Sequence, residues 1–307
     1  MSHQRRFRFG VLVGGLAPGG DWAAVARGAE DLGYSVLVMP DHLNGQLSAM
    51  PGLAAAAMAT SGLRLGTIVL ANDLRHPLLV ARDMATVDIL SRGRAELGLG
   101  AGWLREDYGQ LGMPFDPPGT RVRRLAEAVA VVRGALADPC FTFAGSHYSV
   151  SVRPPGLAAV QNRLPILVGG GGPQVLRLAA RMADIVSINP DLRAGGIPPL
   201  DGGVAAESVD RQLHWVKSAA GERYQDLEIN VVLQVADVGG DPPDLPVVSA
   251  AAGTPGVVMS PYVVAGSVGQ IADQLEWRRE RWDMSYVCVP AAAMVAFAPV
   301  IARLAGR

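Results

Sequence analysis

The stretch from Leu65 to Trp103 constrains the fold of this chain more than any other part of its sequence. A strand-like apolar run at residues 65–70 and a polar turn precede a segment with helical periodicity at residues 78–90 and a second apolar run at residues 95–99. This order predicts a parallel βαβ unit, because parallel strands need a crossover that usually contains a helix. Glycines cluster where the second strand ends, and glycine lets a backbone approach a ligand closely.

The same alternation of strand and helix runs through the rest of the chain. The predicted strands are residues 7–13, 35–39, 65–70, 95–99, 166–168, 184–188, 227–235 and 285–289. Eight strands alternating with helices in 307 residues predict an α/β fold of the (β/α)8 type, a TIM barrel, with residues 1–307 as a single domain. An open doubly wound sheet is the alternative, but no early strand ends in a complete G-x-G-x-x-G pattern followed by an acidic residue.

Four stretches interrupt this alternation. Residues 105–119 contain several prolines and glycines and predict a long loop, and residues 141–152 predict a small inserted hairpin. Residues 190–205 are rich in glycine and proline, and residues 237–259 predict another loop.

The charge balance and the hydropathy pattern exclude several classes of function. A formal net charge of −1 argues against a nucleic-acid partner, because nucleic-acid-binding proteins carry basic surfaces. No apolar run approaches the roughly 18 residues of a membrane span, and the charged start of the chain is unlike a signal peptide. We therefore expect a cytoplasmic protein without a membrane partner, whose cysteines, Cys140 and Cys288, are buried free thiols.

The barrel fold predicts where the functional residues lie. In a (β/α)8 barrel the ligand site is at the carboxyl ends of the strands, and the opposite face serves stability. The residues that directly follow predicted strands are Asp41, His42, residues 70–73, residues 100–103, residues 169–172 and residues 187–189. The turn at residues 91–94 precedes a strand, so we expect structural roles for Asp88 and Arg94.

Four consecutive glycines, Gly169, Gly170, Gly171 and Gly172, lie between a predicted strand and a helix. Free N–H groups and the positive end of the helix dipole favour an anion at such a position, usually a phosphate. The alternative is a tight turn that needs glycine only for its dihedral angles, but four glycines exceed that need. The G-x-x-x-x-G-K-[ST] pattern is absent, which argues against nucleoside triphosphate hydrolysis.

His42 follows the second strand directly, and an imidazole can donate or accept a proton near neutral pH. The alternative is a histidine that only hydrogen-bonds to a loop. Metal-binding and Ser-His-Asp patterns are absent, so we predict no metal site and assign acid–base catalysis to His42. Trp103 ends the glycine cluster and is either a core aromatic or, as we prefer, a wall of a flat ligand pocket.

Taken together, the motifs resemble the luciferase-like monooxygenase superfamily and, within it, the coenzyme F420-dependent oxidoreductases common in actinobacteria. The segments that carry the resemblance are residues 39–42 (MPDH), 75–77 (RHP), 88–94 (DILSRGR), 97–103 (LGLGAGW), 168–173 (VGGGGP), 183–184 (AD), 260–262 (SPY) and 266–267 (GS). They span nearly the whole chain in the expected order, and they are more specific to the superfamily than to its choice of cofactor.

The resemblance implies a barrel with a deazaflavin or a flavin lying across the strand ends. A bulge after the third strand, often with a non-proline cis peptide, would support the central ring. The cofactor-binding residues that it implies are Asp41, His42, Ile68, Val69, Leu70, Asn72, Gly100, Ala101, Gly102, Gly169, Gly170, Gly171, Gly172, Ser187 and Asn189. The glycines would hold the ribityl phosphate, and His42 would polarise or protonate the substrate while the cofactor carries the hydride.

The chain departs from the sugar-phosphate dehydrogenase branch of this group. That branch uses a tryptophan shortly after the histidine and a glutamate in the glycine cluster. The matching positions here are Gln46 and Trp103, which we assign to the substrate pocket. This departure argues against a sugar phosphate substrate.

Three functions stay open on this evidence. The first is an F420-dependent oxidoreductase acting on a small organic molecule. The second is a monooxygenase that uses flavin mononucleotide (FMN) and a separate reductase as partner. The third is a barrel that has lost redox chemistry and acts as a ligand-binding protein or a non-redox catalyst. The resemblance also predicts a homodimer.

Overall fold

The computed structural model describes residues 5–191, 206–239 and 260–307, which form a closed barrel of strands surrounded by helices. The strands are β1 (Arg8–Leu12), β2 (Val36–Met39), β3 (Arg64–Thr67), β4 (Leu70–Ala71), β5 (Ala95–Gly100), β6 (Thr142–Ala144), β7 (Ser149–Ser151), β8 (Ile166–Gly170), β9 (Ile185–Ile188), β10 (Glu228–Val232), β11 (Val235–Val238), β12 (Val263–Gly266) and β13 (Met284–Pro290). The α-helices are α1 (Trp22–Asp31), α2 (Ala49–Ala59), α3 (Pro77–Leu90), α4 (Arg105–Gln110), α5 (Pro118–Ala137), α6 (Pro173–Met182), α7 (Ala206–Ala220), α8 (Val268–Trp282) and α9 (Ala298–Leu304).

Eight strand positions make up the barrel. Their order is β1, β2, β3 with β4, β5, β8, β9, β10 and β13, and β13 pairs with β1 to close the sheet. All of these pairings are parallel, as strand–helix–strand connections require. The predicted (β/α)8 barrel is confirmed. The predicted hairpin is also present as β6 and β7, while β11 and β12 pair with each other outside the barrel.

Capping signals in the sequence explain where several helices begin. Asp21 accepts a hydrogen bond from the N–H of Ala24 (3.0 Å) at the start of α1, and Ser267 forms a capping box with Gln270 at the start of α8. Pro173 occupies the first turn of α6, where the missing N–H has no partner to lose. The helix α6 therefore starts directly after β8, at the carboxyl face of the barrel.

The prediction of a long loop over residues 105–119 is wrong. Residues 105–110 form α4, and α5 begins at Pro118. Glu106 and Asp107 stabilise the first turn of α4, because negative side chains interact favourably with a helix N-terminus. Prolines at this point begin a helix, since their fixed φ suits its first turn.

Three other predicted elements have different bounds in the structure. The third strand is interrupted between β3 and β4, and the seventh ends as β10 at Val232 before the chain leaves the barrel as β11. The strand predicted over residues 166–168 continues as β8 to Gly170.

The two cysteines differ in exposure. Cys140 is exposed, so its predicted burial is wrong; it lies in the turn after α5, where its N–H donates to Asp138 Oδ1 (2.8 Å). Cys288 is buried inside the barrel, and burial raises the pKa of its thiol to about 12. The Cys288 thiol is therefore protonated at neutral pH and unreactive.

Most of the core lies between the barrel and its helices, and a smaller cluster inside the barrel includes Ile68, Tyr286 and Cys288. The parts of the predicted loops at residues 192–205 and 240–259 lie outside the described residues. In the described ranges, no helix combines the length and the apolar character needed to cross a bilayer.

An ion network fills the end of the barrel where the strands begin. Arg8 in β1 donates hydrogen bonds to Glu96 in β5 and to Glu228 in β10, at 2.7 Å each, and Arg64 in β3 also pairs with Glu96. The Arg8 guanidinium lies 3.7 Å from the ring centroid of Tyr286. This network links β1, β3, β5 and β10 across the interior of the barrel.

Asp88 and Arg94 bind backbone groups on the same side of the barrel, which agrees with the structural roles predicted for them. Asp88 accepts a hydrogen bond from the N–H of Val160 (2.7 Å). Arg94 donates to the carbonyls of Ala57 and Thr60 (3.0 Å each), and so ties the end of α2 to the start of β5.

The charge of Glu96 makes the stability of the barrel depend on pH. Burial by itself would raise the pKa of Glu96, but the charges and hydrogen bonds of Arg8 and Arg64 lower it below its usual value. A carboxylate whose pKa is lowered by folding stabilises the fold above its unfolded-state pKa of about 4.3. This stabilisation is lost as the pH falls through the lower pKa of the folded state.

We therefore expect Glu96→Gln to lower the free energy of unfolding at pH 7 by about 3–5 kcal/mol, because it leaves the Arg8 charge partly uncompensated. The acid-range slope of stability against pH should also become shallower. Urea unfolding at several pH values measures both effects. As a control, Asp83→Asn removes an exposed pair with Arg82 and should cost less than about 1 kcal/mol. A Glu96→Gln loss no larger than this control would contradict the assigned role.

Candidate active site

A cavity of about 440 Å³ opens at the carboxyl ends of the barrel strands. The predicted site residues that line it are Asp41, His42, Ile68, Val69, Gly100, Ala101, Gly102, Trp103, Gly169, Gly170, Gly171, Gly172 and Asn189. They come from the ends of five neighbouring strand positions, so the barrel closes around the cavity and brings distant parts of the sequence together.

Four predicted site residues do not line the cavity. Leu70 packs in the main core, and the buried Asn72 lies with its Nδ2 3.3 Å from the Tyr148 hydroxyl. The fully buried Ser187 donates a hydrogen bond to Asn230 Oδ1 (2.7 Å). Gln46 Oε1 accepts a hydrogen bond from the N–H of His42 (3.0 Å), so Gln46 supports the His42 backbone.

The floor of the cavity, which we define as Val69, Gly100 and Gly169, depends on a bulge in the third barrel strand. Gly66 pairs with Glu96 and Leu70 with Leu99, so the third strand has one residue more than β5 over this span. The Ile68–Val69 peptide within the bulge is cis, as the family resemblance implied.

Thr67 replaces the ladder hydrogen bonds that the bulge removes. Its hydroxyl donates to the carbonyl of Gly98 and accepts from the N–H of the same residue, at 2.8 Å each. The side chain therefore bridges β3 and β5 where the two backbones no longer pair. Thr67 was not predicted as a site residue, because a threonine inside an apolar run looks like an ordinary strand residue.

The glycines of β5 are required by the bulge. A Cβ atom at position 98 would lie 2.0 Å from the Thr67 carbonyl oxygen, and one at position 100 would lie 2.6 Å from Val69 Cγ2. A Cβ at position 169 would lie 3.2 Å from Val69 Cγ1. The third barrel strand thus packs directly against the backbone of β5 and β8, and Val69 provides the one side chain of the floor.

His42 forms a hydrogen-bonded pair with Asp107. The Nδ1 atom of His42 lies 2.8 Å from Asp107 Oδ2, and Asp107 Oδ1 accepts from the N–H of Leu43 (3.2 Å). Because an ionised carboxylate only accepts hydrogen bonds, Nδ1 carries the hydrogen and Nε2 is left to exchange a proton. Asp107 was not predicted as a site residue because its segment was predicted as a loop. The acidic pair Glu106 and Asp107, typical of a helix N-terminus, was the available signal.

Trp103 stands against His42. The two rings meet edge to face, with centroids 5.4 Å apart and an interplanar angle of 85°. Both residues line the cavity, so Trp103 forms a wall beside the proton-exchanging imidazole.

The first turns of α5 and α6, with the buried Arg121, form a cationic end of the cavity. Gly119 and Gln174 in these turns line it, and neither helix has a side-chain cap. Arg121 is 5% exposed and donates to the carbonyls of Ala101 (3.2 Å) and Gly102. No carboxylate of the described residues pairs with Arg121, so two helix dipoles and one charge favour an anion here.

Comparison with known proteins identifies the family. A model described as luciferase-like monooxygenase matches residues 7–208. The chain belongs to the luciferase-like monooxygenase family. The resemblance inferred from the motifs is confirmed at this level.

Two curated relatives with named activities are similar to this luciferase-like family member. It is 34% identical to an F420-dependent glucose-6-phosphate dehydrogenase of Beutenbergia cavernae over 168 residues, 51% of this chain and 48% of the relative. It is 30% identical to a 5,10-methylenetetrahydromethanopterin reductase of Archaeoglobus fulgidus over 185 residues, 60% of this chain and 52% of the relative. The chain spans about half the length of these curated relatives.

A solved structure of a coenzyme F420-dependent tetrahydromethanopterin reductase from Methanopyrus kandleri has a similar fold. The TM-score is 0.75 at 19% sequence identity, and the match covers 98% of this chain and 100% of the other. At this identity the similarity establishes the shared barrel architecture.

In this luciferase-like protein, close packing between two loops requires a glycine at position 171. A Cβ atom there would lie 2.3 Å from the carbonyl oxygen of Pro190. Gln212 from α7 donates to the carbonyls of both Gly171 and Asn189, at 2.9 Å each. The loops after β8 and β9 are thus held together, independently of any ligand.

Asp73 connects the bulge to the helices that carry the other site residues. Its carboxylate accepts hydrogen bonds from the Tyr108 hydroxyl (3.1 Å) and pairs with Arg124 Nη1 (2.7 Å). Tyr108 lies next to Asp107 and directly against Gly102, where a Cβ would be 2.1 Å from its hydroxyl.

Among the described residues, no group of histidine, cysteine and acidic side chains could hold a metal ion.

We expect Gly98→Ala to lower the free energy of unfolding by about 1–3 kcal/mol, because the added methyl group overlaps the Thr67 carbonyl. Thermal or urea unfolding measures the loss. Gly109→Ala is the matched control, since nothing lies within 4 Å of a Cβ atom at that position in α4. Equal stability of the two variants would show that the bulge does not need a bare strand beneath it.

Proposed function

We propose that this protein is a coenzyme F420-dependent oxidoreductase that transfers a hydride between the deazaflavin and a small organic substrate. One observation carries the proposal: a single cavity combines a bare backbone floor, a cationic end and the His42–Asp107 pair. These are the features that a planar cofactor with a phosphate group and a proton-coupled substrate need together.

The residues present fit such a cofactor. A planar ring can lie against Val69 because Gly100 and Gly169 have no side chains to block it. Arg121 and the first turns of α5 and α6 would hold the phosphate, since buried donors and helix dipoles stabilise an anion. The deazaflavin supplies a two-electron acceptor or donor when it is bound.

His42 would handle the proton that accompanies the hydride. With Asp107 on Nδ1, the neutral imidazole has an acceptor lone pair at Nε2, and the charged form has a donor there. His42 can therefore take a proton from an alcohol at Nε2 or give one to a carbonyl compound. Asp107 acts through His42 and is a positioning residue.

The identity of the cofactor rests on the relatives. The curated relatives at 30–34% identity described above carry names of F420-linked enzymes or of a methanopterin reductase. Flavin mononucleotide would use the same floor and cationic end, with a separate reductase as partner. The intact His42–Asp107 pair beside the cavity argues against a barrel without catalytic function.

A fluorescence titration with coenzyme F420 and, in parallel, with FMN tests the proposal. We expect micromolar or tighter binding of F420 and binding of FMN at least about tenfold weaker, a difference of about 1.4 kcal/mol. Preference for FMN would instead support the monooxygenase with a separate reductase. Binding of neither would support the non-redox alternative.

We expect His42→Ala to lower turnover by about 10²–10⁴-fold while the affinity for the cofactor stays unchanged, because proton transfer is lost and the floor is untouched. The absorbance of F420 reports turnover with the best alcohol from a substrate screen. His214→Ala, on the exposed face of α7, is the control histidine. Full activity of His42→Ala would remove His42 from the mechanism.

The assembly and location of the protein stay predictions. The α2 helix has no charged residue, and Pro51, Ala55 and Met58 on its outer face are exposed. Because a helix that is apolar on all sides is usually covered, we propose that α2 contributes to the predicted homodimer interface. We also propose that the protein is cytoplasmic.

A further inference from the structure

We infer that the cavity beside His42 takes a neutral alcohol or ketone with apolar substituents and disfavours phosphorylated or carboxylated substrates. The inference rests on the proposed hydride transfer for its chemistry, and it names the substrate class of that same site. It differs from the substrate named for the Beutenbergia cavernae relative, which is a dianionic sugar phosphate.

The fixed charge next to His42 is negative. The Asp107 side chain is 4% exposed and has no cationic partner among the described residues other than His42. Asp41, another acidic residue of the lining, is compensated by Arg75. While His42 is neutral, the charge of Asp107 therefore repels an anionic group on the substrate, and like charges in a partly buried site are costly.

Arg121, the cation in the described lining of the cavity, already has other partners. Arg121 donates to the carbonyls of Ala101 and Gly102, and its guanidinium lies 4.1 Å from the ring centroid of Phe115. In the proposed function its remaining donors face the phosphate of the cofactor. Within the described part of the chain, a second phosphate on the substrate would find no comparable group in the lining beside His42.

Apolar side chains surround the His42–Asp107 pair. Trp103 stands edge-on to the imidazole, and Leu104 also lines the cavity. Leu43 and Leu111 are 41% and 47% exposed, and both are fixed by Asp107, through its side-chain Oδ1 and its backbone carbonyl respectively. The apolar lining formed by Trp103 and Leu104 indicates an apolar ligand rather than a hydrated one.

The chemistry fits a neutral alcohol. The hydroxyl of the alcohol would hydrogen-bond to Nε2 of His42 and pass its proton there, and a bound deazaflavin would supply the acceptor for the hydride from the carbinol carbon. A C=O bond forms as the C–H and O–H bonds break, so the alcohol is oxidised by two electrons to a ketone. The imidazolium that results lies against the Asp107 carboxylate, so the charge that repels anionic substrates also stabilises the product state.

Direct binding measured by isothermal titration tests this assignment in two samples: protein saturated with F420, and protein without F420 in phosphate buffer that occupies the cationic end. The probes are cyclohexanol, 2-propanol and glucose 6-phosphate. We expect cyclohexanol to bind and glucose 6-phosphate not to displace it. Trp103→Ala should weaken cyclohexanol at least about tenfold and 2-propanol less than about threefold, because only the larger ring reaches the aromatic wall.

Two controls separate a specific wall from a general disturbance. Trp103→Phe should restore most of the cyclohexanol affinity, and Ile89→Ala, at a 52% exposed position on α3, should leave it unchanged. In turnover assays the Trp103→Ala loss should appear in KM more than in kcat.

Three results would overturn the inference: no binding of cyclohexanol, displacement of cyclohexanol by glucose 6-phosphate, or cyclohexanol affinity that is independent of Trp103. Trp103-dependent binding of cyclohexanol in a protein that does not bind F420 would support the substrate class and refute the cofactor. The two failures are therefore distinguishable.

Discussion

The close contact between the bulged third strand and β5 is the constraint on which the rest of the site depends. Thr67 bridges the two strands through Gly98, and Val69 rests above Gly100 and Gly169. Because these positions can carry no side chain, the centre of the barrel mouth is a flat surface of backbone with one valine. Every other site residue is arranged around the edge of that surface.

The edge is divided by charge. On one side of the floor, Asp107 hydrogen-bonds to His42 and orients its imidazole ring. On the other side, Arg121 and two helix N-termini concentrate positive charge. Asp73 joins the two sides, since it binds Tyr108 beside Asp107 and Arg124 in α5. A cofactor with a redox-active ring and a phosphate would be oriented by this asymmetry alone.

Much of the architecture could be predicted from the sequence, and the missed parts have physical reasons. Apolar runs alternating with helical periods locate the barrel strands, and strand-end positions find His42 and both glycine clusters. The segment at residues 105–119 was misread because its prolines were taken as helix breakers, whereas Pro118 begins α5. Asp107 lies in that segment, so the error on secondary structure hid the partner of His42.

The sequence also could not separate two reasons for a glycine. Gly171 lies in a cluster that suggests a phosphate site, yet its own neighbourhood is the backbone of the loop after β9. Ser187 was selected for its place near a strand end, but its side chain points into the barrel toward Asn230. Such distinctions depend on which neighbouring strand a residue faces, and periodicity along one strand does not report that.

The bare floor has a consequence for how proteins with this barrel can diversify. A side chain added at one of its glycines would disturb the packing between strands as well as ligand binding. The centre of the barrel mouth therefore tolerates few substitutions. Trp103, Leu43 and Leu111 belong instead to excursions beyond the strands, where a change of side chain leaves the barrel pairing intact. New substrate ranges should therefore arise by exchange of these peripheral residues around an invariant centre.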